Sequence, residues 1–220
     1  MIDRQAFQAR KRAFLDRLLR EAGQGRVDED IYPFLLRINE LPWLYTTSSC
    51  SGRIMLADVK TPSYSKGRGF RPIAKWHHAV SAERVAEAVE GHGDVWMLVR
   101  GGILHIAVDS AKRAMELVAL ARATGHKHSG VIAVNRAGVV VEILGEERLD
   151  IPLKQGGELL VDLGAAADMA NRVLLLAKAR LAWLIAKLEA KYLGGEAPDD
   201  EKIRRRLREL AQCLYGGPRR

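Results

Sequence analysis

Residues 43–59 read WLYTTSSCSGRIMLADV, and the way this stretch divides decides what kind of fold the chain can build. Trp43 to Thr47 is aromatic and β-branched, and Ile54 to Val59 alternates, so both flanks predict strands. Between them lies Ser48-Ser49-Cys50-Ser51-Gly52-Arg53, a small polar loop between two apolar strands. From Thr46 to Ser51 every residue carries a hydroxyl or thiol, and Gly52 and Arg53 follow. Such a loop can nest an anion, with Arg53 as a bidentate clamp. It can equally be a serine-rich turn whose hydroxyls cap their own backbone, and composition does not choose between the two. Cys50 sits in neither a Gly-x-Ser-x-Gly elbow nor a cysteine-protease signature, which argues against covalent catalysis.

Upstream of this stretch the pattern is helical. Phe7, Phe14, Leu15, Leu18 and Leu19 recur at helical spacing between Asp3 and Ala22, with Gly23 and Gly25 as the stop. A second short helix is predicted from Asp28, with Ile31, Phe34, Leu35 and Ile38 as its apolar face. Downstream, residues 61–72 read as an exposed basic loop, Lys75 to Val80 as a short strand, and Ser81 as the cap of a helix over Val85 and Val89. Val95 to Val99 and Ile103 to Val108 are strand-like, joined at Gly101-Gly102 by a tight hairpin or a bend within one long strand. Asp109 or Ser110 caps the next helix, closed by Gly125. Asn135 to Gly138 reads as a hairpin turn, and strands near Leu149–Leu153 and Leu159–Leu163 complete a sheet. Ala165 to Leu193 is one long Ala/Leu-rich helix, followed after Gly194 to Pro198 by a charged amphipathic helix over Asp199 to Leu214. The expected class is α+β: a central mixed, largely antiparallel sheet flanked by helices, with a long C-terminal helix. Residues 1–193 are expected to form a single domain, and 194–220 a charged helix and basic tail.

Composition narrows the function classes. Of 220 residues, 48% are hydrophobic and 28% charged, which excludes global disorder. Lys and Arg number 35 against 27 Asp and Glu, a net charge of +8 that favours a polyanionic partner without identifying it. The two cysteines, Cys50 and Cys213, make no disulfide framework, so a reducing, cytoplasmic setting is expected. The longest apolar run, Val173 to Leu188, is interrupted by Lys178, Arg180 and Lys187, and the N-terminus is not a signal peptide, so no membrane association is expected. His77 and His78 would point to opposite faces of a strand, and with His105 and Cys50 they match no standard zinc spacing. Trp43, Trp76 and Trp96 fall in or beside strands; Trp76, beside the histidines, is the stacking candidate. Neither a Gly-x-Gly-x-x-Gly fingerprint nor a Walker A loop is present, and Lys66-Gly67-Arg68-Gly69 imitates either only superficially.

On these residues the chain resembles the tRNA wybutosine-synthesising protein three family. The run Thr46 to Ile54 is similar to that family's most specific motif almost letter for letter. Asp28-Glu29-Asp30, Trp76 with His78, Leu104-His105-Ile106, Ser129-Gly130-Val131, Ile151-Pro152-Leu153 and Asn171 resemble further family segments in the same order, over roughly residues 1–190. The resemblance implies a fold that is not a Rossmann methyltransferase, which agrees with the missing glycine fingerprint. It also implies methylation of a ring nitrogen of the tricyclic aminocarboxypropyl-demethylwyosine base next to the anticodon of phenylalanine tRNA. The implied methyl donor is S-adenosylmethionine, with no metal. On this footing Ser49, Ser51, Arg53, Ser129 and Gly130 are the expected cofactor-binding residues. Ser49, with His78 or His105 as proton acceptor, is the expected catalytic set, and Trp76, Lys66, Arg68 and Arg71 are the expected tRNA contacts. A non-catalytic tRNA-binding module of the same fold is the main alternative, and a metal-dependent hydrolase the second.

Overall fold

A computed structural model describes residues 2–60 and 69–215, with side chains to 212. Its elements are α1 (Arg4–Ala22), α2 (Tyr32–Ile38), β1 (Leu44–Cys50), β2 (Arg53–Asp58), β3 (Arg71–Trp76), α3 (Ala82–Val89), β4 (Val95–Arg100), β5 (Ile103–Val108), α4 (Ala111–Ala123), β6 (Gly130–Asn135), β7 (Gly138–Leu144), β8 (Arg148–Gln155), β9 (Glu158–Leu159), α5 (Leu163–Tyr192) and α6 (Asp200–Tyr215). The α+β class and the long C-terminal helix are as expected. The strands, however, are all antiparallel and divide between two sheets, ordered β1-β5-β7-β6 and β3-β2-β4-β8-β9.

The chain forms two compact units. One takes the residues up to Ser51, Gly102–Glu146 and Ala179–Arg205; the other takes Gly52–Gly101, Glu147–Lys178 and the residues from Arg206. Gly101-Gly102 is therefore neither of the alternatives read from sequence: β4 ends in one sheet and β5 begins in the other. Three further expectations shift. The second helix starts at Tyr32 behind Ile31 as cap, with Pro33 in its first turn, so Asp28 to Asp30 precede it. The strand expected over 75–80 lies earlier, at Arg71–Trp76, because β3 pairs Ile54 with Trp76 and Asp58 with Arg71 across β2. His77 and His78 consequently sit in a bend after the strand rather than on its two faces.

Local signals hold where the chemistry is local. Asp3 caps α1 by accepting from Gln5 N and Ala6 N. Ser81 caps α3, and Ser110 rather than Asp109 caps α4. The Asn135–Gly138 hairpin forms as read, with Gly138 at φ 136. A Cβ there would also meet the Val108 carbonyl oxygen at 2.9 Å and the Phe7 ring at 3.2 Å, so only glycine fits.

In the first unit, Phe34, Leu35 and Ile38 of α2, Leu117 of α4 and Leu184 of α5 bury one face of the four-stranded sheet through Ile106 and Val141. On the other face Tyr45 and Ala107 receive Phe7 and Phe14 of α1, with Phe7 edge-on to Tyr45 at 5.0 Å. The start of α6 is tied to α5 by Asp200, which accepts from Trp183 Nε1 at 2.9 Å and Lys187 Nζ at 2.6 Å. In the second unit Met55, Ala57 and Leu98 make a smaller core. Among the described residues no helix is long and apolar enough to cross a membrane.

His126, at the end of α4, is 1% exposed, and its Nδ1 lies 3.1 Å from the Thr124 hydroxyl. Burial first, and then the Arg180 charge, lowers its pKa from 6.5 to about 4. Arg180 reaches this corner over Gly125, where a Cβ would overlap its guanidinium. The folded chain therefore refuses a proton that the unfolded chain accepts below about pH 6.5. Stability contributed by the neutral ring is present above that pH and lost as pH falls towards 4, by roughly 3 kcal/mol. Urea unfolding across this window will show a steeper decline for the wild type than for His126→Asn.

Candidate functional site

The first unit holds the Thr46–Ser51 run on β1, and two side chains fix its position. Asn39, just past α2, accepts from Thr46 N at 2.9 Å and donates through Nδ2 to Thr46 Oγ1 and Leu35 O, both at 2.7 Å. At the far end Asp28 Oδ2 accepts from Ser51 N at 2.6 Å, a charge-assisted bond. Ser51 is fully buried just past the end of the strand.

Between these anchors the strand bulges at Thr47. Thr46 pairs with Ile106, but Ser48 pairs with His105, Ser49 with Leu104 and Cys50 with Ile103. One extra residue exchanges the faces of everything after it. Ser48 thereby joins His105 on one face, and β5 sets His105 opposite Glu142 of β7. His105 Nε2 lies 2.8 Å from Glu142 Oε2, and the two side chains are 24% and 29% exposed, open to a reactant. If Nε2 carries the hydrogen for this bond, Nδ1 is left with its lone pair. Gly130 continues the row, paired with Glu142 across β6. Ser49 goes to the opposite face, where its Oγ is buried without a hydrogen-bond partner among the described residues. It lines a cavity of about 220 Å³ between α1, residues 26–27 and β1.

Ser129 is 1% exposed; its Oγ accepts from Leu144 N at 3.3 Å and its carbonyl from Arg122 at 3.1 Å. It staples the loop before β6 to the end of β7.

In the second unit, Arg53 opens β2 directly opposite Arg100 of β4, which is opposite Arg148 of β8. Like charges abreast on a sheet repel. Asp150 offsets two of them, accepting from Arg148 at 2.7 Å and from Arg100 at close range. Arg53 keeps a buried Nε with no partner among the described residues. Trp76, half-buried at the end of β3, pairs with Ile54, the residue after Arg53. The chain beyond it is held by Asn171 of α5, whose amide accepts from Val80 N and donates to Val80 O, both at 2.8 Å. His78 is exposed on this clamped segment. Arg71 is exposed but engaged, donating to Asp58 at 2.6 Å; this bond, and then His92, holds the Asp58 carboxyl below the usual carboxylate range. Lys66 and Arg68 lie outside the described residues.

The site residues read from sequence thus fall into two sets: Ser49, Ser51, His105, Ser129 and Gly130 in the first unit, and Arg53, Arg71, Trp76 and His78 in the second. Sequence reasoning missed Glu142, Asn39, Arg100 and Arg148. A lone Glu amid the Val139–Leu144 strand was the available signal for the first, and Arg100 ending the apolar run Val95–Val99 for the third; Arg148, which opens its strand after Glu146-Glu147, carried none.

Comparison with known proteins gives a consistent picture. Residues 9–190 match the family described as methyltransferase TYW3. The chain is 37% identical over 172 residues to tRNA(Phe) 7-((3-amino-3-carboxypropyl)-4-demethylwyosine(37)-N(4))-methyltransferase 1 of Pyrococcus horikoshii, covering 76% of this chain and 87% of that protein. It is 38% identical over 180 residues to the methyltransferase of the same description from Thermococcus sibiricus, covering 80% and 90%. Among solved structures, the PH1069 protein of Pyrococcus horikoshii is similar with a TM-score of 0.77 at 34% identity, covering 85% of this chain and 96% of that one. A hypothetical protein from Aeropyrum pernix is similar with a TM-score of 0.66 at 30% identity, covering 75% and 99%.

The Asn39 amide is the anchor on which the β1 register rests. Asn39→Ala leaves Thr46 N and Thr46 Oγ1 buried without these partners, and a loss of about 2–4 kcal/mol is expected in denaturant unfolding.

Proposed function

The chain belongs to the methyltransferase TYW3 family, and we propose on that premise that it methylates a ring nitrogen of the aminocarboxypropyl-demethylwyosine base of phenylalanine tRNA. The match over residues 9–190 carries the reading, because that span contains both the Thr46–Arg53 segment and the His105–Glu142 pair. S-adenosylmethionine supplies an electrophilic methyl on a sulfonium sulfur. Transfer from sulfonium to nitrogen needs no Lewis acid, and the reading includes no metal.

The residues divide the remaining work. The ring nitrogen must lose its proton as it is alkylated, and His105 accepts it at Nδ1 while Glu142 holds Nε2 and stabilises the imidazolium. The buried, unpartnered Ser49 Oγ and Arg53 Nε fit polar groups of the reactants. Trp76 offers a face for an unstacked base, and exposed arginines such as Arg205 and Arg208 of α6 offer phosphate contacts. A cytoplasmic setting follows from a tRNA substrate and is part of the proposal.

The test is incubation with labelled S-adenosylmethionine and tRNA carrying the unmethylated tricyclic base. Label in that base is expected; donor binding without transfer refutes the enzyme. His105→Ala should lower kcat roughly 10²-fold, and Ser49→Ala, Arg53→Ala and His78→Ala should each reduce transfer with the fold intact. Undiminished turnover in all four removes the site assignment. Three or more phosphate contacts predict that tRNA affinity falls at least about tenfold between about 50 and 200 mM salt, measured by filter binding.

A further inference from the structure

We propose that the cavity between α1 and β1 receives the α-amino-acid end of a ligand, ammonium and carboxylate together. The inference rests on the reading above, in which both reactants carry such an end: the methyl donor on its sulfur, the base on its aminocarboxypropyl side chain. The cavity, about 220 Å³, is smaller than the roughly 300 Å³ at which pockets for whole drug-sized ligands begin. Its size suits a short amino-acid tail.

Its lining carries Arg17, Glu21 and Arg26, so both signs of charge are present where such a tail needs them. Gly25, at φ 65, turns the chain back so that Arg26 N donates to Glu21 O at 2.9 Å, bringing Arg26 to the end of α1. The Arg26 guanidinium has no partner among the described residues and is the fork for a carboxylate. Glu21 accepts from Arg17 Nε at 2.9 Å through Oε1, which leaves Oε2 for an ammonium near the negative end of the helix dipole. Leu18 and Val27 supply an apolar bed for the intervening methylenes. The fourth wall is β1, where the Ser49 hydroxyl is buried and unsatisfied. A native chain seldom leaves such a group unpaired, and a ligand carboxylate or ammonium completes it. Of the Ser48–Arg53 segment only Ser48 and Ser49 line the cavity; its charged groups come from α1 and the turn after it.

Binding calorimetry on the full chain separates the two sources. The probes are S-adenosylhomocysteine against 5′-methylthioadenosine, which lacks the amino-acid end, and precursor tRNA against tRNA whose tricyclic base lacks the aminocarboxypropyl group. Arg26→Ala and Glu21→Gln are the variants, with unchanged thermal melting as the control for folding. If the cavity serves the donor, each variant weakens S-adenosylhomocysteine by about tenfold or more and leaves 5′-methylthioadenosine unchanged. If it serves the base, S-adenosylhomocysteine is unchanged and only the precursor tRNA weakens by that factor. Unchanged affinity for every probe, or equal losses within a pair, overturns the proposal. Methyl transfer by the wild type is measured separately; its failure refutes the reaction, whereas the binding pairs still decide the cavity.

Discussion

One side-chain amide sets the register of the hydroxyl-bearing strand. Asn39 meets Thr46 through both its oxygen and its nitrogen, and so fixes β1 one residue before the bulge at Thr47. A period-two strand has only two outcomes for each side chain, so where the extra residue falls decides which hydroxyls share a face with His105 and which are turned inward. With Thr46 held by Asn39 and Ser51 by Asp28, the intervening residues have no freedom to slip. From Thr46 to Cys50 the hydroxyl run is therefore a clamped strand rather than a loop.

The two units present different chemistry. The first offers a carboxylate-oriented imidazole on an accessible sheet face, beside Ser48 and Gly130. The second offers three arginines abreast, two of them balanced by Asp150 and the third with an unsatisfied buried Nε. Repulsion within that row is a cost that Asp150 offsets for two of its three members.

Much of the fold was legible because its signals are local. The caps at Ser81 and Ser110, the Asn135–Gly138 hairpin and the long helix all depend on residues within a turn or two of one another. Gly101-Gly102 was not legible: a pair of glycines permits a hairpin, a bend or a passage between sheets, and only distant strands choose. The strand misplaced at 75–80 failed for a similar reason, since Asn171 holds Val80 from 91 residues away. His105 could be singled out by its type in an apolar strand. Its partner Glu142 gave a weaker signal, because strand alternation also accounts for an isolated carboxylate as a solvated position.

The strand order β1-β5-β7-β6 has a consequence in time. β1 has no partner nearby in sequence: Cys50 waits for Ile103 and Leu44 for Val108. Loop-closure entropy makes such pairings late and slow, whereas the β6-β7 hairpin forms from neighbours. A growing chain can thus complete β6-β7, or α1 and α2, while the hydroxyl strand is still without an adjacent strand. The Ser48–His105–Glu142 row cannot exist in any intermediate assembled from local pieces; it appears only when the topology closes.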